Sequence, residues 1–337
     1  MNSTEITNET ASFAKQLTTV GSKIVPVLEK LFPPAAQDFM SHPFWYHMQS
    51  GGKRIRPALC LLTCEALGSS QQKAVPFAAA VEILHNMLLV HDDIEDGDEV
   101  RRNRPTVWVK YGLENAINVG DYMLGRALSS ILTTSVSPER KNQLLGAFIE
   151  AYENTCRGQA LDLNWRGSEK LTVESYMKLV RLKTGDYLAL GMVGGAIIAD
   201  APPVALQNIR QLGDKIGPAF QIRDDMLDLT KGKGRGGQIG NDIREGKPSI
   251  LFAHTLDAAE GKDRDKLLQI ALKGRAQTTE DDIQTITRLY QKYGAIEYAR
   301  STAQKLVKEA LELVEQMPIE NKAFFRKIVN FMAQRDK

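Results

Sequence analysis

Two segments of this chain are apolar nearly all round at helical spacing. Residues 74–90 and 187–199 offer no continuous polar face, so neither can lie on the surface of a small bundle. Helices of that kind are buried centrally and require a ring of other helices around them. The rest of the chain supplies that ring. Ile283, Ile286, Leu289, Tyr290 and Tyr293 form one helical stripe, with Thr279 placed as its N-cap and Gly294 as its C′ glycine. Ala299, Ala303, Leu306, Ala310, Leu313 and Val314 continue the pattern until Pro318, and Thr172 caps a helix through Tyr176, Leu179, Val180 and Leu182. Strand-like alternation is nearly absent. The expected fold is all-α: a polar N-terminal segment over 1–20, then one large helical domain over 21–337 with about ten core helices. Pro33-Pro34, Pro202-Pro203 and the glycine-dense stretch 232–240 read as punctuation between helices, not as interdomain linkers.

Composition narrows the function classes. Apolar residues make up 43% and charged residues 25% of 337, which excludes a disordered or collagenous chain. Lys plus Arg is 43 against 41 for Asp plus Glu, a net charge of +2, too balanced for a nucleic-acid or membrane-surface binder. The three cysteines, Cys60, Cys64 and Cys156, fit reduced, buried thiols. The start carries both charge signs and no signal-peptide core. The longest apolar run, 187–199, is short of the ~20 residues that a bilayer crossing needs. The expectation is a cytoplasmic protein with no transmembrane segment.

The apolar run ending at Val90 leads into His91-Asp92-Asp93-Ile94-Glu95-Asp96. Asp92 and Asp96 stand at i, i+4, so both carboxylates leave one helix face, with Asp93 about 100° round. The arrangement recurs in Phe220-Gln221-Ile222-Arg223-Asp224-Asp225-Met226-Leu227-Asp228, which precedes the glycine-rich stretch. Carboxylates near a helix C-terminus oppose its dipole and repel one another, so local stability does not account for them. A hard divalent cation removes both costs, and Mg²⁺ takes one or two carboxylates plus substrate phosphate oxygens. One such motif would pass for solvated surface; two in the same context would not.

Basic groups alternate with the acidic ones. Gly51-Gly52-Lys53-Arg54-Ile55-Arg56-Pro57 sets Lys53 and Arg56 at a glycine-led helix opening, an anion-binding arrangement. Arg101 and Arg102 follow the first acidic motif. Lys183-Thr184 pairs a point charge with a hydroxyl, and Lys247 precedes Pro248, expected at the first position of a helix. The combination suits a polyanion held between metal ions and basic side chains. His85 lies seven residues before Asp92, on about the same face, where a lone histidine is more often a satisfied core residue than a functional one.

Taken in order, Gly-Gly-Lys-Arg-x-Arg-Pro, the two Asp-Asp-x-x-Asp motifs, the Arg-Arg pair, Lys-Thr and Phe-Gln resemble the trans-isoprenyl diphosphate synthases, the polyprenyl synthetase family, closely over residues 45–255. The resemblance implies the isoprenoid synthase type I fold, long helices around a central cavity, usually as a homodimer. It implies head-to-tail elongation, in which an allylic diphosphate bound through three Mg²⁺ ions ionises and isopentenyl diphosphate attacks the carbocation. By position it assigns Asp92, Asp93, Asp96, Asp224, Asp225 and Asp228 to Mg²⁺. Arg101, Lys183, Thr184 and Gln221 fall to the allylic diphosphate, with Lys247 close by. Lys53, Arg56, His85 and Arg102, with backbone from Gly52, fall to isopentenyl diphosphate.

Two departures stand out. Many relatives place a lysine in the stretch that here reads Gly236-Gly237-Gln238-Ile239-Gly240-Asn241-Asp242, leaving Lys231, Lys233 or Arg235 as substitutes. Asp186, just after Lys183-Thr184, is an unusual polar residue for its helix. Met87 and Leu88, a turn before Asp92, are expected to floor the product cavity. Medium side chains there, one of them pliable, favour the twenty-carbon geranylgeranyl diphosphate, with farnesyl or longer products as the alternative. A class I terpene cyclase is the rival within the same fold, and the intact Gly51 to Pro57 segment argues against it.

Overall fold

The structure, a computed structural model, describes residues 3–36, 38–230 and 239–334. Helices dominate it, as the periodicity requires. In chain order they are α1 (Ser3–Gly21), α2 (Val25–Leu31), α3 (Ser41–Met48), α4 (Ile55–Ala66), α5 (Gln71–Glu95), α6 (Val107–Tyr111), α7 (Leu113–Leu132) and α8 (Pro138–Asn164). Then follow α9 (Val173–Val180), α10 (Asp186–Ile198), α11 (Pro203–Leu227), α12 (Asn241–Arg244), α13 (Ile250–Ala258), α14 (Gly261–Ala271), α15 (Glu280–Lys292), α16 (Ala295–Gln316) and α17 (Lys322–Gln334). Among the described residues the β structure is one ribbon, β1 (Val100–Arg101) antiparallel to β2 (Arg104–Pro105). Contacts gather in two compact units, one of Met1–Tyr152, Ala189–Ile209 and Pro318–Phe324, the other of Glu153–Leu188, Arg210–Met317 and Phe325–Lys337.

The first unit is built on α5, which packs against α4 and α7. Ala78, Ala79, Ala80, Val81 and Leu84 are fully buried, so the apolar segment is a core helix as expected. By length and composition α5 is apolar enough to cross a membrane, yet 72% of its most apolar window is buried inside the protein. The 189–198 portion of α10 reaches it through glycines. A Cβ on Gly194 would lie 1.9 Å from Phe77 Cε1, and one on Gly195 2.4 Å from the Cys60 carbonyl oxygen. Helix α1 is more than a polar leader, because Phe13, Leu17 and Val20 are buried at i, i+4 and i+7. Cys60 and Cys64 are buried free thiols, with pKa values raised chiefly by burial. Cys156, expected to be buried with them, is exposed.

The second unit closes around α13. Tyr176 and Leu179 of α9, Ile222 of α11, Phe252 of α13, Ile286 and Tyr290 of α15 and Ala299 of α16 share one core. Its helix starts follow the sequence. Thr172 with Ser175 and Thr279 with Asp282 form reciprocal capping boxes, and Gly294 has φ 69° just beyond α15. One expected start is displaced. Pro248 is not the first residue of its helix, because Ser249 caps α13 by accepting a hydrogen bond from the Phe252 N–H at 3.1 Å. The proline stands one residue outside.

Candidate active site

In the first unit, α5 delivers Asp92 and Asp93 in its last turn and ends at Asp96, whose N–H bonds the Asp92 carbonyl. The β1–β2 ribbon then folds back with Arg102 and Asn103 at φ 52° and 62°, a tight reversal that returns Arg101 to the aspartates. Arg101 Nε donates to Asp93 Oδ1 at 2.5 Å and Nη2 to Asp92 Oδ2 at 3.3 Å, with Asp98 Oδ2 3.8 Å away. Burial pushes the Asp93 carboxyl up to about 6 against the opposing pull of Arg101. The ribbon is anchored from outside. Tyr46 donates to the Pro105 carbonyl at 2.8 Å, Trp108 to the Asp98 carbonyl at 2.8 Å, and Arg104 and Lys110 lie 4.4 and 3.8 Å from the Tyr46 ring centroid.

The predicted basic group assembles beside that ribbon. Gly51 (φ 100°), Gly52 (φ 156°) and Arg54 (φ 47°) turn the chain into α4. Arg102 Nη1 comes within 3.3 Å of where a Gly52 Cβ would stand, and the backbone at φ 156° favours glycine. Desolvation, with the charges of Arg56 and Arg102, holds the His85 pKa well below its ordinary value. Burial and the Arg101 and Arg102 charges bring His47 down to about 3. Both imidazoles are therefore neutral near pH 7. Gly52, Arg56, His85 and Arg102 are thus brought together, while Lys53 projects from the same turn in an exposed position. Two residues of this group escaped the sequence reading. Buried Glu82 has its pKa raised by desolvation and opposed by Arg56, and Asn86 Nδ2 donates to the Glu82 carbonyl and Oε1 at 2.8 and 3.2 Å. Their signal was present, as polar interruptions of an apolar helix. Met87 is fully buried and Leu88 half-buried on α5.

The second unit contains a cavity of about 200 Å³. Lys183, Thr184, Gln221, Asp224, Asp225, Asp228 and Lys247 all line it. Asp225 accepts from Tyr176 Oη at 2.6 Å, Gln221 Nε2 at 3.1 Å and the Ile250 N–H at 3.3 Å. Asp228 Oδ2 accepts from the Asp242 N–H at 3.0 Å. Lys183 Nζ donates to the buried Asp162 Oδ2 at 2.6 Å, and Lys247 Nζ lies 2.9 Å from Glu245 Oε2. Sequence reasoning did not assign Asp162, Tyr176, Asn241 and Asp242 to the cavity, although Asn241-Asp242 close the stretch in which many relatives carry a lysine. Gln238, Lys231, Lys233 and Arg235 lie outside the described residues.

The donors fit a hard divalent cation. The aspartates offer oxygen alone, and Asp93 Oδ2 is buried with no hydrogen-bond partner among the described residues. No three metal-ligating side chains are gathered at one point among the described residues. Mg²⁺ takes one or two carboxylates and completes its shell with water and substrate phosphate oxygens.

Known proteins resemble the chain over most of its length. The family model for polyprenyl synthetase matches residues 37–290. The chain is 35% identical to a short chain isoprenyl diphosphate synthase of Methanothermobacter thermautotrophicus, over 79% of this chain and 82% of that one. It is 32% identical to a geranylgeranyl diphosphate synthase of Saccharolobus solfataricus, over 85% and 86%. Among solved structures, a geranylgeranyl pyrophosphate synthetase from Pyrococcus horikoshii superposes with a TM-score of 0.87 at 30% identity, covering 96% of this chain and 99% of that one. With the motifs in order, the helical fold and a match spanning most of the chain, the protein belongs to the polyprenyl synthetase family.

Proposed function

We propose that this chain condenses isopentenyl diphosphate with an allylic diphosphate, head to tail, and releases geranylgeranyl diphosphate and inorganic diphosphate. The observation that carries the reading is the second unit's cavity, where Lys183, Thr184, Gln221 and Lys247 stand among Asp224, Asp225 and Asp228. Anion donors and oxygen ligands in one small cavity match a diphosphate that arrives with its counter-ions. Asp92, Asp93, Asp96, Asp224, Asp225 and Asp228 would hold Mg²⁺, which when bound supplies charge stabilisation at the departing diphosphate. Lys183, Thr184, Gln221 and Lys247 orient the allylic diphosphate and neutralise charge as its C–O bond breaks, with Arg101 serving the same substrate. Lys53, Arg56 and Arg102, with Gly52 backbone, hold isopentenyl diphosphate by its anionic end. Neutral His85 beside these cations adds a hydrogen-bonding group without competing charge. The proton lost after condensation goes to the released diphosphate.

The protein is proposed to act in the cytoplasm as a homodimer. Leu113, Ile117 and Leu132 of α7 are exposed apolar side chains, a surface that association would cover.

The test is incubation with Mg²⁺, isopentenyl diphosphate and, separately, dimethylallyl, geranyl or farnesyl diphosphate, with products sized by mass spectrometry. A dominant twenty-carbon diphosphate is expected. Cyclic hydrocarbon formed without isopentenyl diphosphate would move the protein to the cyclases.

A further inference from the structure

Lys183 and Thr184 do not sit on ordinary helix. Residues Arg181–Gly185 form a π-turn between α9 and α10, an irregularity that costs stability and recurs at functional sites. One stripe of α8 braces it. Asn154, Gly158 and Asp162 stand at i, i+4 and i+8, and each meets a different part of the turn. Asp162 takes the Lys183 ammonium at 2.6 Å. A Cβ on Gly158 would lie 2.5 Å from Lys183 N and 2.7 Å from its Cα, so the Lys183 backbone rests directly on the α8 backbone. Asn154 Nδ2 donates to Asp186 Oδ2 at 2.6 Å, and Arg157 Nη1 holds the other end of that amide at 3.1 Å from Asn154 Oδ1. From the opposite side Gly217 of α11 presses on the turn, where a Cβ would come 2.5 Å from Gly185 Cα.

We infer that the Asn154–Asp186 hydrogen bond is a positioning latch for Lys183 and Thr184, and that Asp186 is a positioning residue for the diphosphate they bind. The Gly158 contact at Lys183 and the Gly217 contact at Gly185 hold the turn itself, and Asp186 opens α10 just beyond them. The latch fixes that opening. Asp186 is not among the residues lining the cavity, and its carboxylate acts through the π-turn. The inference rests on the proposed role of Lys183 and Thr184 as diphosphate ligands.

The experiment compares Asp186→Ala, Asp186→Asn and Asn154→Ala with the wild type, varying the allylic and isopentenyl diphosphates separately and recording thermal midpoints. Asp186→Asn keeps an acceptor for Asn154 Nδ2, so it is expected to behave as wild type. Asp186→Ala and Asn154→Ala are expected to raise the allylic KM about tenfold, as a displaced binding group does, and to leave the isopentenyl KM unchanged. The double alanine variant should be no worse than either alone. Equal effects on both KM values, an unchanged allylic KM, or an Asp186→Asn variant as impaired as Asp186→Ala would each overturn the latch. A second readout separates this inference from the prenyl-transfer reading: calorimetric binding of inorganic diphosphate with Mg²⁺, using Lys183→Ala as the reference for a lost ligand. If the wild type lacks turnover but Asp186→Ala weakens diphosphate binding as Lys183→Ala does, the reaction assignment fails and the latch stands. Wild-type binding in Asp186→Ala overturns the latch whatever the turnover.

Discussion

Lys183 and Arg101 each rest on carboxylates, Lys183 on Asp162 and Arg101 on Asp93 with Asp92. A diphosphate carries more charge than either partner and competes for the same donors, so these cations are pre-oriented rather than idle. Removing one takes away both a binding group and charge stabilisation during ionisation. Lys183→Ala is therefore expected to lower kcat/KM for the allylic diphosphate by about 10²-fold, with Lys183→Arg intermediate, as steady-state kinetics would read. A different constraint operates at Gly194, where the Phe77 ring occupies the space that a Cβ would need. Gly194→Ala should cost about 1–3 kcal/mol by overpacking, visible as a lower urea midpoint with the slope unchanged.

Among the elements, α15 has the start most fully specified by sequence. Its capping box joins Thr279 and Asp282, and Lys273 adds two bonds to the Asp282 carboxylate at 2.8 and 2.7 Å. The Lys273 ammonium, then the Thr279 N–H, hold Asp282 down to about 2 from an ordinary 3.8. A carboxylate with a depressed folded-state pKa stabilises the fold fully above its unfolded value and loses that contribution as pH falls through the folded one. Wild type should therefore exceed Asp282→Asn in stability by about 1–2 kcal/mol at neutral pH, and the gap should close between about pH 4 and pH 2. Denaturant midpoints across that range measure it. At α13 the local rule was followed by a different residue. Proline at a helix opening suggested Lys247-Pro248, but Ser249 has the side-chain oxygen that a cap requires. The π-turn in 181–185 was invisible to periodicity, since one extra residue in a turn leaves the apolar spacing on either side intact.

For the whole molecule the open property is product length. Met87 is fully buried on α5, five positions before Asp92, and Met87→Ala removes the larger part of its side chain. The expected outcome is a shift of products beyond twenty carbons in the mass-spectrometric assay; an unchanged distribution would remove Met87 from the cavity floor. Much of the molecule was readable before its coordinates. Helix class, caps at Thr172 and Thr279, the buried α5 and the i, i+4 carboxylates of both acidic motifs follow from spacing within a few turns, because 3.6-residue periodicity and i, i+4 geometry are local properties, whereas Lys183, Thr184, Gln221 and Lys247 were assigned through the family's motifs. What the chain order left open lies in contacts across long separations. Asp162 reaches Lys183 from 21 positions away, Asn154 reaches Asp186 from 32, and Tyr176 reaches Asp225 from 49. Glu82 takes its raised pKa from burial, which the guanidinium of Arg56 opposes from 26 positions away. Such pairings depend on which helix faces meet, and that is settled by packing in three dimensions rather than by any residue's neighbours in the chain.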